Sequence, residues 1–370
     1  GPTSEPSLQP SLSSVPSIYP TSSPTECPSR SPSLKPSVAP SGRPSQSPSQ
    51  RPSLSQSPTT QPKQRASSHG DPHILTFDDF EFDCQASGEF VTMTSLENPA
   101  FMIQERFTSV ASSRCQQASI STAVVIRDED VPTVEISIPS PDTCNAMNWI
   151  NECPIDLYLD GIARYFDEDH GPEIELSVVG NIAQLHHIKT GFDVNVRVET
   201  SNNFGCHFLV QVVAPPKFHE GETIIGLLGK PNGIKEDDWV MANGTVLAIP
   251  TSSEAAIFEP AYNYCVTNWC IHNSSQSLFT HGRSGESFET HYACDEDYIG
   301  DIEDDVTNPS QGLEEVCGDD LSCRVDGVCG NLDDAKQAIA DRKDITSGVS
   351  LFQELFWWTR TFIPYGYYGN

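Results

Sequence analysis

The sequence predicts a mainly β protein, with an antiparallel β-sandwich-like domain between a disordered Pro/Ser-rich tail and a small disulfide-pinned, α-containing extension. Three observations support this fold class. Apolar and polar residues alternate along many short segments between His69 and Pro260, as they do in half-buried strands. Proline and serine dominate the first 68 residues. Eleven of the twelve cysteines lie beyond that tail, which favours a disulfide framework formed in an oxidising compartment.

Residues 1–68 are predicted to be a disordered spacer. From Pro28 to Pro52, a proline followed by serine recurs every four residues, and such a segment lacks the apolar mass that offsets chain entropy. The tail has six basic and two acidic residues, a net charge of +4, so the rest of the chain carries a net charge of −34. That charge disfavours nucleic acid and favours cations, although plain solubility in a salty medium explains it equally. No apolar stretch reaches the roughly 18 residues of a transmembrane helix.

Residues 69–260 are predicted to form the β domain. The dipeptide Asp160-Gly161 between two apolar runs is typical of a hairpin turn. Many short strands with turns between them indicate a sandwich or a barrel-like domain. The predicted strands cover residues 88–93, 101–107, 123–127, 133–138, 157–163, 174–179, 182–188, 192–199 and 206–213.

The remaining chain divides into two predicted parts. Residues 261–330 form a Cys-rich acidic extension with short helices, and residues 331–370 hold a helix over Leu332–Lys343. An aromatic segment, Leu351–Trp358, either docks as a helix or is a sticky tail. The odd number of cysteines beyond the tail leaves one free, or paired with Cys27 or another chain. Two sequons, at Asn243 and Asn273, are candidate glycosylation sites of a secreted protein.

The stretch Gly70-Asp71-Pro72-His73 stands where the tail ends and the β domain begins. One interpretation is structural: Gly-Asp-Pro makes a turn and His73 opens a strand. The other is chemical, because the Asp71 carboxyl group is able to attack its own main-chain carbonyl and release the Pro72 nitrogen. A histidine, with an ordinary pKa of about 6.5, is a suitable donor of the proton that this nitrogen needs. The residues alone leave both interpretations open.

The segment Gly226–Trp239 combines a tight glycine turn with closely spaced oxygen-bearing side chains. Asn232, Asp237 and Asp238 offer amide and carboxylate oxygens, and the turn offers a backbone carbonyl; calcium prefers such ligands. The spacing is not that of an EF-hand. A calcium site and an ordinary solvated turn are both compatible with these residues.

Together, the two segments resemble the ends of a von Willebrand factor type D domain. The opening motif of that family matches Gly70-Asp71-Pro72-His73 with Thr76-Phe77-Asp78, and Gly88-Glu89-Phe90 follows in the family's order. A Gly-Leu-Leu-Gly-x-x-Asn-Gly-x-x-x-Asp-Asp run closes the match, which covers residues 69–260. The resemblance implies a disulfide-rich β module that binds structural calcium. Residues 261–330 are similar to the Cys-containing segment that follows type D domains in membrane mucins and nidogen-like proteins.

The resemblance also implies where calcium would bind. Lys230 departs from the family's pattern, because the family usually has asparagine there. An ammonium group at that position removes one ligand and is able to take the place of the metal. The implied ligands are Asp78, Asn232, the carbonyl of Ile234, Asp237 and Asp238.

Some members of the family, including gel-forming mucins, share the Gly-Asp-Pro-His sequence and cleave themselves between Asp and Pro. The resemblance therefore implies Asp71–Pro72 as a scissile bond and His73 as the proton donor. The released Asp71 would form an anhydride that cross-links to amines or hydroxyls.

These features lead us to expect a secreted adhesive protein of the extracellular matrix, cell wall or cell surface, with calcium as a structural cofactor. Its expected partners are other matrix or wall components, polysaccharide, or further copies of the chain. Self-cleavage at mildly acidic pH is one alternative, and a receptor-binding or inhibitory module is another. The sequence has no Gly-x-Ser-x-Gly elbow, phosphate loop or His-Glu-x-x-His helix, so a conventional enzyme is not expected.

Overall fold

Two antiparallel sheets, with helices and disulfides toward the C-terminal end, make up the part of the chain that the structure describes, and they confirm the predicted mainly β class. The computed structural model describes residues 64–70, 72–109, 118–139, 148–201, 205–218, 224–250, 258–282, 287–294, 305–306, 308–329 and 331–347. Its strands are β1 (Gln64–His69), β2 (His73–Leu75), β3 (Glu81–Asp83), β4 (Gly88–Ser95), β5 (Met102–Ser109), β6 (Ser119–Asp128), β7 (Val131–Ser137), β8 (Asn148–Ile150), β9 (Cys153–Leu159), β10 (Ile162–Arg164), β11 (Ile174–Val179), β12 (Ile182–His187), β13 (Phe192–Ser201), β14 (Gly205–Ala214) and β15 (Ile224–Ile225).

The two sheets have different strand orders. The first sheet runs β11-β12-β13-β14-β1-β2-β3, and the second runs β10-β9-β7-β6-β5-β4-β15, with β8 paired to β9. Most neighbours in each sheet are consecutive in sequence and form hairpins. The predicted Asp160-Gly161 turn joins β9 to β10, and both residues have positive φ, +48° and +74°, as a two-residue hairpin of this kind requires.

The sheets bury a shared apolar core, and β9 shows how the sequence directs its residues there. Ile155, Leu157 and Leu159 are buried, whereas Asp156 and Tyr158 between them are half-buried. This alternation follows from the period of two along a strand. The largest fully buried side chains of the core include Phe82, Phe90, Phe101, Phe107, Phe192, Phe208, Ile103 and Tyr262.

The outward face of the second sheet is covered as well. Gln104 on β5 bonds through its side chain to the carbonyl of Gln276 at 3.0 Å and to the backbone nitrogen of Leu278 at 2.9 Å. Arg106, two residues further along β5, lies between the rings of Phe279 and Tyr292. This cover explains why polar residues of β5 are buried even where they point away from the core.

The first strand begins earlier than the sequence analysis predicts. The sequence predicts that the β domain starts at His69, but β1 begins at Gln64 and pairs with β14, for example Ala66 with Val212. Ser and Gln give β1 little local strand signal, and its partner lies far away in the sequence. Pairing with β14 on one side and β2 on the other, rather than intrinsic propensity, forms this strand.

Helices follow the sheets. The predicted helix at Leu332–Lys343 is confirmed and extends to Ser347. Among the described helices, none is long and apolar enough to cross a membrane. The tail up to residue 63 and the aromatic segment 351–358 lie outside the described residues. The helices are α1 (Phe258–Trp269), α2 (Gln311–Cys317), α3 (Leu321–Cys329) and α4 (Leu332–Ser347).

Disulfides connect distant parts of the described chain. Cys265 lies on α1, and Cys270 follows the end of that helix. Although the two are close in sequence, Cys265 pairs with Cys84, just after β3, and Cys270 pairs with Cys294. No described cysteine is free, and Cys329 is also disulfide-bonded. Cys27, Cys115 and Cys144 lie outside the described residues. The defined pairs are Cys84–Cys265, Cys153–Cys206, Cys270–Cys294 and Cys317–Cys323.

Candidate functional site

A row of three polar side chains crosses the first sheet beside the Gly-Asp-Pro-His motif. His69 on β1 pairs with His73 on β2, and His73 pairs with Asp83 on β3. Directly paired residues project from the same face of a sheet, so the three side chains lie side by side. The two imidazole centroids are 5.4 Å apart, and His73 Nδ1 lies 2.5 Å from Asp83 Oδ1.

A second carboxylate reaches His73 from outside the sheet. Nε2 of the ring lies 3.2 Å from Oδ1 of Asp326, a residue of α3. The His73 side chain is fully buried, and those of Asp83 and Asp326 are nearly so. Three ionisable groups from β2, β3 and α3 therefore meet where water is excluded, directly after Pro72.

The surroundings of His73 limit where protons can lie. A neutral imidazole carries one N–H, and its other nitrogen presents a lone pair. A lone pair that faces an ionised carboxylate is repelled, so a doubly protonated ring suits two ionised carboxylates, whereas a protonated carboxyl group is able to donate to a neutral ring. Both arrangements place a proton between the ring and each of the two carboxyl groups, Asp83 and Asp326.

The backbone at Gly70 and Pro72 lies close around this ring. Gly70 has φ of +61°, and a Cβ there would lie 2.8 Å from Cδ2 of His73, so glycine is needed for both conformation and space. The carbonyl of Pro72 accepts a hydrogen bond from the backbone nitrogen of Cys84 at 3.0 Å. Asp71 itself lies outside the described residues.

The second part of the site is an acidic cluster, defined as Asp78, Asp237 and Asp238. Each residue offers a carboxylate oxygen, and these oxygens lie within 4.8 Å of one another. Asp78 comes from the segment after β2, whereas Asp237 ends the 3-10 turn Lys235–Asp237 and Asp238 caps it. The fold thus brings together residues that are far apart in the sequence.

Asp78 holds the opening segment of the domain to the closing loop. Its carboxylate accepts hydrogen bonds from the side chain of Gln64 and from the backbone nitrogens of Gly233 and Ile234, each at 2.8 Å. Burial raises the pKa of Asp78, and the backbone hydrogen bonds partly oppose this rise. The carboxylate is therefore a structural anchor as well as a candidate ligand.

Asp238 is the most buried member of the acidic cluster. Its oxygens accept hydrogen bonds from Thr76 Oγ1 at 2.6 Å and from the backbone nitrogen of Lys230 at 2.9 Å. Burial raises its pKa to about 7, and the charges of Asp78 and Asp237 add to the rise. Three carboxylate groups lie close together here, and a bound cation would offset the repulsion between them.

Lys230 supplies one such cation. Its Nζ lies 3.1 Å from Asp237 Oδ2, and Asn232 Nδ2 donates to the same carboxylate at 3.1 Å. The carbonyl of Ile234 accepts a hydrogen bond from the nitrogen of Asp237 at 3.2 Å. The donor set consists of oxygens, which suits a hard cation such as calcium. The three converging carboxylates fit calcium, with the Lys230 ammonium competing for Asp237. Asn232 turns its amide nitrogen toward Asp237, and its oxygen accepts a hydrogen bond from the nitrogen of Ile234.

An aromatic stack supports the loop that carries the acidic cluster. The Trp239 ring stacks on Tyr264 of α1, with centroids 4.9 Å apart. The Tyr264 hydroxyl lies 3.3 Å from the carbonyl oxygen of Gly226. Since the Cys84–Cys265 disulfide joins α1 to the end of β3, the loop is held on a rigid frame.

Sequence reasoning missed several residues of the site. Asp83 carries a detectable signal, because it pairs with His73 across a short hairpin. Thr76 stands inside the quoted opening motif but was not assigned a role. Gln64 and Asp326 have no local signal, since each depends on contact with a segment more than ten residues away.

Both predicted glycosylation acceptors are exposed, as such acceptors must be. The side-chain oxygen of Asn243 accepts a hydrogen bond from the nitrogen of Thr245, and that of Asn273 accepts one from Ser275, each at 2.9 Å. Each sequon therefore forms a local turn on the surface. Their modification stays a prediction.

Comparison with known proteins places the chain among distant relatives. No family model matches it. The chain is similar to Sushi domain-containing protein 2 from Homo sapiens, with 26% identity over 275 residues that cover 72% of this chain and 30% of that protein. It is also similar to Protein mesh from Bombyx mori, with 23% identity over 298 residues that cover 73% of this chain and 18% of that protein. The chain thus spans less than a third of the length of each relative.

Proposed function

We propose that this chain is a secreted structural module that works by adhesion and assembly, with a β domain of the von Willebrand factor type D kind. Disulfides that join distant strands and helices support folding in an oxidising compartment. The acidic composition and the exposed sequons at Asn243 and Asn273 support an extracellular setting. Its partners would be matrix or wall components, polysaccharide, or further copies of the chain.

The observation that carries this proposal is the position of the acidic cluster. Through Asp78 it joins Gln64, at the start of the strand that follows the tail, to the closing loop of the β domain. Through Trp239 and Tyr264 the loop continues to α1. The cluster is thus a clamp at the point where force on the tail would enter the domain.

We further propose calcium as the cation of this clamp, and that the ion strengthens it. A bound calcium ion supplies the charge that offsets repulsion among the three carboxylates. Without the ion, the Lys230 ammonium offsets part of that repulsion at Asp237. The residues that would hold calcium are Asp78, Asn232, the carbonyl of Ile234, Asp237 and Asp238.

Light scattering on the purified full chain, with calcium and with a chelator, tests assembly. We expect species heavier than a monomer, and retention on immobilised matrix polysaccharide, with calcium present. Asp237→Asn should weaken both responses, and Asp167→Asn, an exposed acidic residue outside the cluster, should leave them unchanged. A strictly monomeric chain that saturates with one soluble partner would instead favour the receptor-binding alternative.

A second candidate function is self-cleavage of the Asp71–Pro72 bond, and the burial of His73 between two carboxylates favours it. An oxygen of the Asp71 carboxylate attacks the main-chain carbonyl carbon of Asp71. The carbon–nitrogen bond to Pro72 breaks as the His73 imidazolium gives its proton to the proline nitrogen. The products are a cyclic anhydride at Asp71, a chain with a free Pro72 amine, and neutral His73. Water, an amine or a hydroxyl then opens the anhydride.

Intact mass of the full chain tests this second function. The protein is held at a pH of about 5.5 and about 7.5, on either side of the ordinary histidine range, beside an Asp71→Ala control. We expect a fragment that begins at Pro72 and is absent from the control. An intact chain under both conditions would contradict self-cleavage and leave the motif with a structural role as a turn.

A further inference from the structure

We propose that two copies of this chain pair edge to edge along β11, in an antiparallel register centred on Leu176, so that the first sheet continues from one copy into the other. The inference rests on the assembly part of the proposed function and names the surface through which copies meet. Its basis is the place of β11 at the end of the first sheet, where, within the described residues, no strand pairs with its outer edge.

The length and composition of β11 set it apart from the other edges of the two described sheets. Those sheets also end at β3, β10 and β15, strands of only two or three residues, and short edge strands are poor templates for pairing. β11 has six residues, with no proline and no basic side chain, and it pairs with β12 without a bulge. Natural proteins protect exposed edges with these devices. The long edge is therefore open to a further strand.

The hairpin with β12 decides which backbone groups of β11 point outward. Val179 pairs with Ile182 across a two-residue turn, and hydrogen-bonded pairs then fall at alternate positions along the strand. The nitrogen of Ile188 donates to the carbonyl of Glu173 at 3.1 Å, which continues that alternation beyond the strand. The positions whose N–H and C=O groups point away from β12 are Ile174, Leu176 and Val178.

One antiparallel register satisfies all of these outward groups. When Leu176 lies opposite Leu176 of the other copy, Ile174 lies opposite Val178, and these become the hydrogen-bonded pairs of the new ladder. A slip of one residue would set outward groups against groups that already bond to β12. A slip of two residues would place Glu175 opposite itself in one direction, and would move Ile174 opposite a turn residue in the other.

The side chains favour the same register. Ile174 is buried, Leu176 packs against the core, and Val178 on the same face is 38% exposed, so the apolar face of the sheet continues to its edge. In the pair, this face of β11 meets apolar residues of the other copy. On the opposite face, the exposed Glu175 lies opposite the exposed Ser177, whose hydroxyl is able to donate a hydrogen bond to a carboxylate.

Two effects limit the strength of this contact. Each copy carries a net charge of −30, so copies repel one another, and salt weakens the repulsion. A single pair of strands also buries less surface than a stable dimer interface. We therefore expect weak self-association, with a dissociation constant of about 100 μM that decreases as salt is added.

Sedimentation equilibrium of the full chain, with calcium present, tests the register at an exposed position. Ser177→Glu sets carboxylates opposite each other on both sides of the axis, and we expect the dissociation constant to rise about fivefold. Ser177→Lys sets an ammonium group opposite Glu175 and should lower the constant by a similar factor. Ala163→Glu and Ala163→Lys make the same changes on β10, an exposed edge of the other sheet, and should associate as the wild type does.

Val178→Pro tests the backbone of the contact. It removes an outward N–H that β12 does not use, so we expect self-association to be lost while the melting temperature shows a folded protein. If the wild type associates and the variants at Ser177 and Val178 associate equally well, the inference is wrong and assembly through another surface stands. A wild type that stays monomeric at every concentration and salt would contradict both the inference and assembly from copies, and would leave the edge to a strand of another protein.

Discussion

At the scale of single residues, Glu105 shows how a buried acid makes stability depend on pH. Its side chain on β5 is fully buried and accepts a hydrogen bond from Ser121 at 3.1 Å. Burial raises its pKa from 4.5 to about 7, against the opposing effect of the nearby hydroxyl groups of Ser68, Ser121 and Thr92. The folded state therefore prefers the protonated form.

The sign of the effect follows from this preference. The stability that protonated Glu105 contributes is fully present below about pH 4.5 and is lost as pH rises through about 7. We expect Glu105→Gln to remove that loss, which amounts to roughly 3 kcal/mol. Urea denaturation at several pH values measures it.

A matched control keeps the interpretation of this comparison clear. Glu175→Gln changes an exposed acid on β11 and should leave the pH dependence as in the wild type. Asp238 also has a raised pKa, so Glu105→Gln should flatten the profile without abolishing its slope. Wild-type and Glu105→Gln profiles that run parallel between about pH 5 and 8 would contradict the account.

At the scale of elements, Arg106 connects the second sheet to the segment that covers it. Its guanidinium lies 4.3 Å from the centroid of Phe279 and 3.9 Å from that of Tyr292. Nη2 also donates to Glu89 Oε1 at 2.7 Å, and Nη1 donates to the carbonyl of His281 at 2.9 Å. A planar fork is needed to make all of these contacts together.

We expect Arg106→Lys to destabilise the protein by about 3 kcal/mol, although the charge is kept, because the ammonium cannot both stack and bridge. Chemical denaturation measures the change, and limited proteolysis should show earlier cuts in residues 276–292. Arg164→Lys, at an exposed ion pair, should change stability by less than about 0.5 kcal/mol. Equal effects of the two substitutions would contradict this role for Arg106.

Elements also show what the sequence is able to predict. The alternation in β9 and the Asp160-Gly161 turn lie within one hairpin, so local pattern suffices for both. β1 has no such pattern, because its register is set by β14, and Asp326 reaches His73 only after α3 has docked. The acidic cluster is predictable in part. The loop from Asn232 to Asp238 is recognisable from its own sequence, but the hydrogen bonds that Gln64 and Thr76 donate to the cluster come from distant segments.

At the scale of the whole molecule, distant segments are fastened at one end of the β domain. The Cys84–Cys265 disulfide spans 181 residues, and the contact between Asp78 and Ile234 spans 156. The first fastens β3 to α1, and the second fastens the start of the domain to its closing loop. A module closed in this way resists separation of its ends, which suits a structural role.

The calcium clamp is the central claim of this account, and thermal melting of the full chain with calcium or with a chelator tests it most directly. We expect calcium to raise the melting temperature of the wild type, and to raise that of Lys230→Asn further because its competitor for Asp237 is gone. Asp237→Asn should lose most of the increase and Asp167→Asn should keep it. Identical melting temperatures with and without calcium, in both the wild type and Lys230→Asn, would contradict the clamp and leave Lys230 as the cluster's own counter-ion.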